Sequence, residues 1–243
     1  MTSLDPICQP RIDNAGLPWR TPALLERERH AYGAMANSLT QGPLTVALLK
    51  QALVSAEPGA AYTAAFLAGR CAAVDAGLTR TLADLAASAS EPDVGIEAAM
   101  ALALRGDPAQ GKAMLEKRLH AAGLLGDQYK AAFYLAQLGD PSGYGALVAT
   151  LHGDIPHYRL MALRHALAFQ PYQGRMVGNL QVDVAALLVE RLADSDEMVR
   201  GEVPFYLEEL APPDLRARLE QVEQGDPSPS VRIAARMVLD RIA

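Results

Sequence analysis

The chain has 243 residues, half of them apolar and about a fifth charged, with a formal net charge of −6. This balance is that of a globular chain with a sizeable core, and the negative charge argues against a nucleic-acid-binding face. No apolar run of about 18 residues occurs, which excludes a membrane-spanning helix. Alanine and leucine dominate the apolar residues, so closely packed helices are favoured over strands.

The first 42 residues are predicted to form an N-terminal cap. They contain a loose, proline-bearing lead with Trp19 and then one helical segment, "ALLERERHAYGAMANSLT". We expect Trp19 to pack over the helices that follow, although a stacking platform for a base is an alternative interpretation. The lead has no secretory signal pattern, and Cys8 and Cys71 make no disulfide framework. A reducing cytoplasm is therefore the default location.

Six segments after the cap share one pattern. Each has an apolar anchor followed by a polar residue and by further apolar residues about three, four and seven places on, which is one helical stripe. The closing Gly-Asp-Pro of two of them even aligns without a gap. The spacings between anchors are 34, 33, 29, 41 and 32 residues, and the anchors are Tyr62, Ile96, Tyr129, Tyr158, Val199 and Val231.

A second helical pattern precedes each anchor, and short turns rich in Gly, Asp, Ser and Pro separate the two. Several of these patterns open with proline, which is well tolerated in the first turn of a helix. Each unit therefore reads as helix A, a tight turn and helix B. One such pair cannot bury its apolar stripe alone, so neighbouring pairs are expected to stack.

The phrases "LLVERLADSDEMVRGEV" and "GDPSPSVRIAARMVLDRI" resemble HEAT repeats of the short, PBS-lyase-like form. The resemblance covers about residues 43–243 and implies a single continuous domain, an all-α right-handed solenoid of about six helix pairs. It also implies that the arginine after the anchor meets an aspartate of the turn. Asp194 or Asp196 would then serve Arg200, and Asp226 would serve Arg232.

Helix B of each pair is expected to line the concave face of such a solenoid. We predict that the positions five, eight and nine past each anchor point into this groove, with Arg164 and Phe205 beside them. The insertion at 170–181 explains the longest spacing and is either a partner-binding loop or a tolerated surface loop. The predicted partner-binding residues are Arg70, Arg105, Tyr134, Leu163, Arg164, Tyr172, Arg175, Phe205, Glu208, Glu209 and Asp240.

Two local features modify this pattern. Pro204 removes one helical hydrogen bond and is predicted to kink or delay helix B of the fifth unit. Residues 183–226 hold twelve acids and only four bases, so this segment carries −8 while the remainder carries +2. The acidic segment predicts either attraction of a basic partner or simply a solvated face.

Catalytic and metal-binding chemistry finds little support in the sequence. His152, Asp154, His157 and His165 are close in the chain, yet their spacing gives no helical ligand pair, and capping or exposure explains them. HEAT-like metalloenzymes bind iron through His-Glu pairs, and no His-Glu dipeptide occurs here. HEAT-like DNA glycosylases have a cationic, tryptophan-bearing groove, which this acidic chain with one Trp does not offer.

The residues and the resemblance together predict a non-catalytic protein–protein interaction module without cofactor or metal. It would hold a protein partner of basic character on its concave face, with neither a nucleic acid nor a membrane as partner. Two versions are an adaptor or scaffold and an immunity-type inhibitor of a basic toxin. The alternative is an enzyme related to the HEAT-like bilin lyases, although no residues of a chromophore pocket can be named.

Overall fold

The computed structural model describes Ile12 and residues 22–71, 75–121 and 125–242. Nearly all of these residues are helical, and sheet within them is confined to one small hairpin, so the all-α prediction is confirmed. The helices are α1 (Pro22–Leu39), α2 (Val46–Leu53), α3 (Pro58–Arg70), α4 (Ala76–Ser88), α5 (Pro92–Arg105), α6 (Pro108–Leu119), α7 (Leu125–Gln137), α8 (Tyr144–Leu151), α9 (Pro156–Ala166), α10 (Val184–Glu190), α11 (Glu197–Leu210), α12 (Leu215–Gly225) and α13 (Pro229–Arg241).

The chain divides into two compact units, residues 1–139 and 140–243, which we call the N-terminal unit and the C-terminal unit. After α1, the helices follow one another as pairs, so that all six predicted helix pairs are present. The A helices are α2, α4, α6, α8, α10 and α12, and the B helices are α3, α5, α7, α9, α11 and α13. One continuous domain over 43–243 stays a prediction.

Within each unit the B helices pack on one another in chain order. In the N-terminal unit α3 contacts α5, and α5 contacts α7; in the C-terminal unit α9 contacts α11, and α11 contacts α13. The cap helix α1 packs against α3, on the side of the B helices. Among the described helices, none combines the length and the apolar content that crossing a bilayer requires.

Local sequence sets where these helices begin. Four A helices are capped by a side-chain oxygen that accepts a hydrogen bond from the amide three residues on, as expected for Thr and Asp at this position; the caps are Thr45, Asp75, Asp107 and Asp183. Four B helices instead open with a proline in the first turn, where a missing N–H has no consequence. These prolines are Pro58, Pro92, Pro156 and Pro229.

The core of the N-terminal unit is built from small residues. Helix α5 is buried continuously from Val94 to Ala103, and α3 is buried from Ala64 to its end. Their backbones approach closely because Gly69 lacks a side chain: a Cβ at that position would lie 2.9 Å from the Cα of Ala101. Cys71, directly after α3, is fully buried. Cys8 and Trp19 lie outside the described residues.

The C-terminal unit is crossed by a ladder of arginines that differs from the predicted pairing. Arg200 donates two hydrogen bonds of 2.8 and 3.1 Å to the carboxylate of Asp226, which belongs to the turn of the next pair. Its third nitrogen donates to the main-chain oxygen of Asp194, in its own turn, at 2.8 Å. The prediction that the Asp194 or Asp196 carboxylate would pair with Arg200 is therefore wrong.

Arg159 repeats this geometry one pair earlier. Its guanidinium donates to both oxygens of Asp194 at 2.9 and 2.7 Å and to the carbonyl of Gly153 at 2.9 Å. Arg232 meets Asp226 only through its main-chain oxygen, at 2.6 Å, so the predicted carboxylate pair is absent here as well. Because Arg159 and Arg200 each bind a carbonyl of their own turn and the carboxylate of the next turn, each carboxylate ties one helix pair to the pair before it.

The structure also describes the insertion at 170–181 and the region of helix α11 around Pro204. A 3-10 helix, Leu167–Tyr172, leads into strands β1 (Met176–Val177) and β2 (Leu180–Gln181), which pair antiparallel. Helix α11 runs through Pro204 without a break, so the predicted delay of this helix is wrong. Pro204 is buried, and it leaves the carbonyl of Arg200 without the usual amide partner.

Candidate binding groove

The exposed side of the B helices differs from the predicted one. Positions five and eight past the anchor are mostly buried, because they fall beside the apolar stripe that continues along each helix. Arg70, Tyr134 and Leu163 occupy such positions and are 6 %, 5 % and 0 % exposed. Their predicted place in an open groove is thus wrong. In the C-terminal unit, positions six and nine are the more exposed ones. Arg164, Phe205, Glu208 and Asp240 lie there and are fully or partly exposed, as is Arg105 in the N-terminal unit.

Arg70 is buried because the cap helix covers it. Its Nε donates a 2.7 Å hydrogen bond to Glu28 of α1, and its Nη1 donates to Glu97 of α5 at 3.2 Å. The guanidinium also lies 3.6 Å from the centre of the Phe66 ring. Burial of this kind is tolerated only when every charge has a partner. Here α1 supplies one of the two carboxylates.

Glu97 is fully buried and is the centre of this network. The hydroxyl of Tyr134 donates a hydrogen bond to its second oxygen. Burial, together with the negative charge of Glu97, raises the pKa of Tyr134 well above its ordinary value, so the phenol stays protonated. The same two causes, in the same order, raise the pKa of Tyr62. The cluster therefore holds the B helices together and leaves no group free for a ligand.

Arg105 is the least covered of the three predicted residues in the N-terminal unit. Its side chain is half-buried, and its Nε donates to the carbonyl of Gly69 at 3.1 Å. The contact joins the ends of α3 and α5.

A groove in the C-terminal unit is lined by residues of its three B helices, α9, α11 and α13. It has a volume of about 260 Å³. We call its apolar lining the floor, which includes Leu160 of α9, Gly201 of α11 and Ala234 of α13. A Cβ at Gly201 would meet only a Val231 methyl group, at 3.8 Å. The lining residues are Leu160, Arg164, Glu197, Met198, Gly201, Glu202, Ser230, Val231 and Ala234. We call this set the B-helix groove.

Acidic groups outnumber basic ones around the B-helix groove. Glu197 and Glu202 stand on α11, and Arg164 on α9 is the one basic residue of the lining. Glu202 accepts a 3.4 Å hydrogen bond from the hydroxyl of Tyr206. Burial and the charge of Glu202 raise the pKa of Tyr206 to about 12, so this phenol is a neutral donor. Met198 remains 64 % exposed beside these carboxylates. The groove combines an apolar floor with a negative rim.

Four further predicted residues lie nearer the ends of α11 and α13. Glu208 accepts two hydrogen bonds from Arg241, at 2.7 and 2.6 Å, and the same guanidinium lies 5.5 Å from the ring centre of Phe205. Asp240 pairs with Arg236 on its own helix, at 2.9 Å. Glu209 is exposed at the end of α11. These contacts extend the exposed side of α11 towards α13 without entering the groove.

The insertion residues lie apart from the lining of the groove. Tyr172 is buried, and the guanidinium of the exposed Arg175 lies 5.7 Å from the centre of its ring. Tyr172 thus acts as a packing residue of the insertion. Its burial contradicts the prediction that it contacts a partner.

The histidines serve the helix ends, as predicted. His152 ends α8, where its Nδ1 lies 2.9 Å from the carbonyl of Val148 and its Nε2 lies 3.1 Å from Glu190. His157 is exposed in the first turn of α9, and His165 lies in its last turn. Within the part of the chain that the structure describes, no cluster of three metal-ligating side chains is found.

Sequence reasoning missed the residues that form the groove, namely Leu160, Glu197, Met198, Gly201 and Glu202. A signal was available in the repeat itself. Positions five and eight past the anchor carry Leu67, Ala101, Leu207 and Leu239 in other pairs, and these apolar residues mark the buried side. In the C-terminal unit the exposed side then follows from the helical period, at positions two, six and nine. In the N-terminal unit, positions two and six are buried alanines and leucines instead.

Comparison with known proteins gives no family for this chain. No protein-family model matches it, and no match is found among the curated proteins. A crystal structure of an engineered protein is 18 % identical, with 80 % of this chain and 94 % of that chain covered and a TM-score of 0.47. Human deoxyhypusine hydroxylase in complex with glycerol is 21 % identical, with coverages of 96 % and 93 % and a TM-score of 0.33. Similarity at this level carries no conclusion about function.

Proposed function

We propose that this chain is a non-catalytic interaction module that binds a protein partner in the B-helix groove of its C-terminal unit. The observation that carries the proposal is the composition of that groove. An apolar floor at Gly201 and an exposed Met198 lie directly beside the carboxylates of Glu197 and Glu202. Apolar anchors framed by charge are typical of protein-binding surfaces, where the anchor supplies affinity and the charges select the partner.

The partner is a protein segment that places an apolar side chain over Gly201 and a basic side chain near the two carboxylates. Such a segment fits the acidic surroundings, since the C-terminal unit contains fifteen Asp and Glu residues and ten Arg residues. A partner segment of this kind fits both versions of the proposed role, an adaptor and an inhibitor of a basic toxin. With a volume of about 260 Å³, the B-helix groove lies below the range that is typical of small-molecule pockets, so this groove does not support the bilin-lyase alternative.

The proposal extends to the fold. The sequential packing of B helices inside each unit supports a stack of HEAT-like pairs. We propose that the six pairs belong to one right-handed α-solenoid. Small-angle scattering of the full chain tests this, because a bundle of the same mass has a smaller radius of gyration.

Site-specific photo-crosslinking in the native host tests the binding role. A photoreactive residue replaces Met198, at the rim of the groove, and in a control it replaces Val54, which is 73 % exposed in the N-terminal unit. We expect a protein to be crosslinked at position 198 and not at position 54. Its affinity for the purified chain is then measured with and without the double substitution Glu197→Lys and Glu202→Lys.

Charge reversal in the groove is expected to weaken this complex at least about tenfold. The matched control reverses two exposed acids of the N-terminal unit, Asp84→Lys and Glu116→Lys, and is expected to leave the affinity unchanged. Equal loss in both variants would assign the effect to net charge and overturn the proposed site. Absence of any crosslinked protein at position 198, or uptake of a bilin by the purified chain, would overturn the binding role itself.

A further inference from the structure

The outer side of the last helix, α13, carries a second exposed surface. Ile233 and Met237, one turn apart, are 60 % and 49 % exposed. Arg232, Arg236 and Asp240 flank them at helical spacing, so the five residues form one continuous stripe. We call this stripe the α13 face. It is distinct from the B-helix groove, which lies on the side of α13 that faces α11.

The repeat shows what usually covers such a stripe. Counted from the anchors, the α13 face corresponds to Arg200, Gly201, Pro204, Phe205 and Glu208 of α11. Several of these positions are in contact with the last helix pair: Arg200 with Asp226, and both Phe205 and Glu208 with Arg241. The same positions on α13 therefore form a packing face, and no element of the described residues covers it.

Arg232 differs from the two preceding arginines of the ladder in the contacts that the described residues give it. In the two preceding steps of the ladder, the Nε and Nη2 atoms of Arg159 and Arg200 both bind an aspartate carboxylate. Arg232 keeps the remaining contact, from its Nη1 to the carbonyl of Asp226, which holds the side chain in the same pose. No described carboxylate meets its Nε and Nη2. A carboxylate from another molecule would complete the pattern.

We propose that the α13 face binds a second copy of this chain through a two-fold axis. Arg232 and Asp240 are eight residues apart, about 12 Å along the helix, and Arg236 lies midway between them. When two copies of α13 lie antiparallel, each Arg232 meets Asp240 of the other copy, so both ends of the stripe are paired at once. Ile233 and Met237 of the two copies are then buried between these ion pairs.

The central arginine does not oppose this arrangement. Arg236 is already paired with Glu223 at 3.0 Å and with Asp240 at 2.9 Å, so its charge is compensated within each copy. The surface of one helix is smaller than a standard protein–protein interface of about 1,600 Å². We therefore expect a reversible dimer that forms with rising concentration. This inference is independent of the proposed partner groove.

Sedimentation equilibrium of the full chain, from micromolar to millimolar concentration, tests the dimer. We expect the wild type to shift from monomer to dimer across this range. Arg232→Asp and Asp240→Arg should each raise the dissociation constant at least about tenfold, and the double variant should restore the dimer because the pair is re-formed with its charges exchanged. Ile233→Asp should also abolish it, whereas Val54→Asp, on the N-terminal unit, should not.

Circular dichroism establishes that each variant is folded, and Ile233→Asp and Asp240→Arg change exposed positions that the fold does not require. A wild type that stays monomeric at the highest concentration overturns the proposal. A dimer that resists the single charge reversals, or one that the double variant does not restore, overturns the Arg232–Asp240 pairing and with it the two-fold arrangement.

Discussion

The two units use the same helix pairs but expose their B helices differently. In the N-terminal unit, α3 and α5 are buried along most of their length, because alanine and glycine bring the helices together and α1 covers Arg70. In the C-terminal unit, α11 and α13 leave an acidic groove and an apolar stripe open to solvent. The N-terminal unit thus buries most of the surface of α3 and α5, whereas the C-terminal unit leaves part of the surface of α11 and α13 exposed.

The polar contacts of the two units differ in the same way. The N-terminal network of Arg70, Glu97 and Tyr134 is deeply buried and joins α1, α3, α5 and α7. The C-terminal ladder of Arg159 and Arg200 lies at the turns and links each pair to the next one along the chain. Arg159 and Asp194 of the ladder are buried as well, so the contrast lies in what the contacts join: the helices of several pairs in the N-terminal unit and the turns of successive pairs in the C-terminal unit.

The largest effect is expected when the buried network is broken at Glu97. Glu97→Ala leaves the guanidinium of Arg70 and the hydroxyl of Tyr134 buried without their acceptor, so we expect the free energy of unfolding to fall by about 3–5 kcal/mol. Urea denaturation followed by circular dichroism measures it. The control is Glu202→Ala in the C-terminal unit, where the carboxylate is part-exposed and the loss should stay below about 1 kcal/mol. Equal losses would contradict the contrast between the units.

The ladder of the C-terminal unit gives the second prediction, which depends on pH. The hydrogen bonds from Arg200 lower the pKa of the Asp226 carboxyl below its ordinary value. Ionised Asp226 therefore stabilises the fold above a pH of about 3.9, and this stabilisation is lost as the pH falls through the lowered folded-state pKa. Asp226→Asn should lower the free energy of unfolding at pH 7 by about 1.5–3 kcal/mol.

The same variant should also flatten the acid limb of the stability curve, since the asparagine has no proton to gain. Asparagine keeps the oxygen that accepts from the amide of Ser228, so the turn itself is preserved. Urea denaturation at several pH values between 2 and 7, compared with the wild type, provides the measurement. Parallel curves for the two proteins would show that Asp226 does not carry this part of the acid sensitivity.

Periodicity was enough to predict the six helix pairs and their turns, because the apolar stripe and the Gly, Asp and Pro residues of the turns are local signals. Periodicity did not predict the orientation of the B helices. Tyr134 and Arg70 are polar residues at buried positions, and their burial depends on Glu97 and on Glu28, a residue 42 places away in the chain. A single sequence does not reveal such long-range partners.

The ladder shows a similar limit. The sequence correctly suggested that an arginine after the anchor meets an acidic turn, but Arg200 is close in sequence to Asp194 and Asp196 and binds Asp226 instead. Sequence distance favours the nearer carboxylates, whereas the stacking of helix pairs brings the later one into range. Gly201 was missed because it lies two places past its anchor, whereas the positions five, eight and nine places past the anchor were expected to be exposed.

A third prediction compares a glycine on a B helix of each unit. Gly69→Ala would place a methyl group 2.9 Å from the backbone of Ala101, and we expect it to destabilise the chain by about 1–3 kcal/mol through overpacking. Gly201→Ala meets only a methyl group at 3.8 Å, and the helix gains stability of about 0.5–1 kcal/mol from the better helix former. Thermal denaturation of both variants should therefore give shifts of opposite sign.

The smallest expected effect concerns the end of the ladder. Arg232 contacts only main-chain oxygens, those of Asp226 at 2.6 Å and Pro227 at 3.3 Å, whereas Arg200 also binds a buried carboxylate. In dilute protein, Arg232→Ala should lower the free energy of unfolding by about 0.5–1.5 kcal/mol, and Arg200→Ala by more, since it leaves Asp226 without its partner. If Arg232→Ala matched Arg200→Ala in dilute solution, Arg232 would have a partner within its own chain, and its guanidinium would not be open to a second copy.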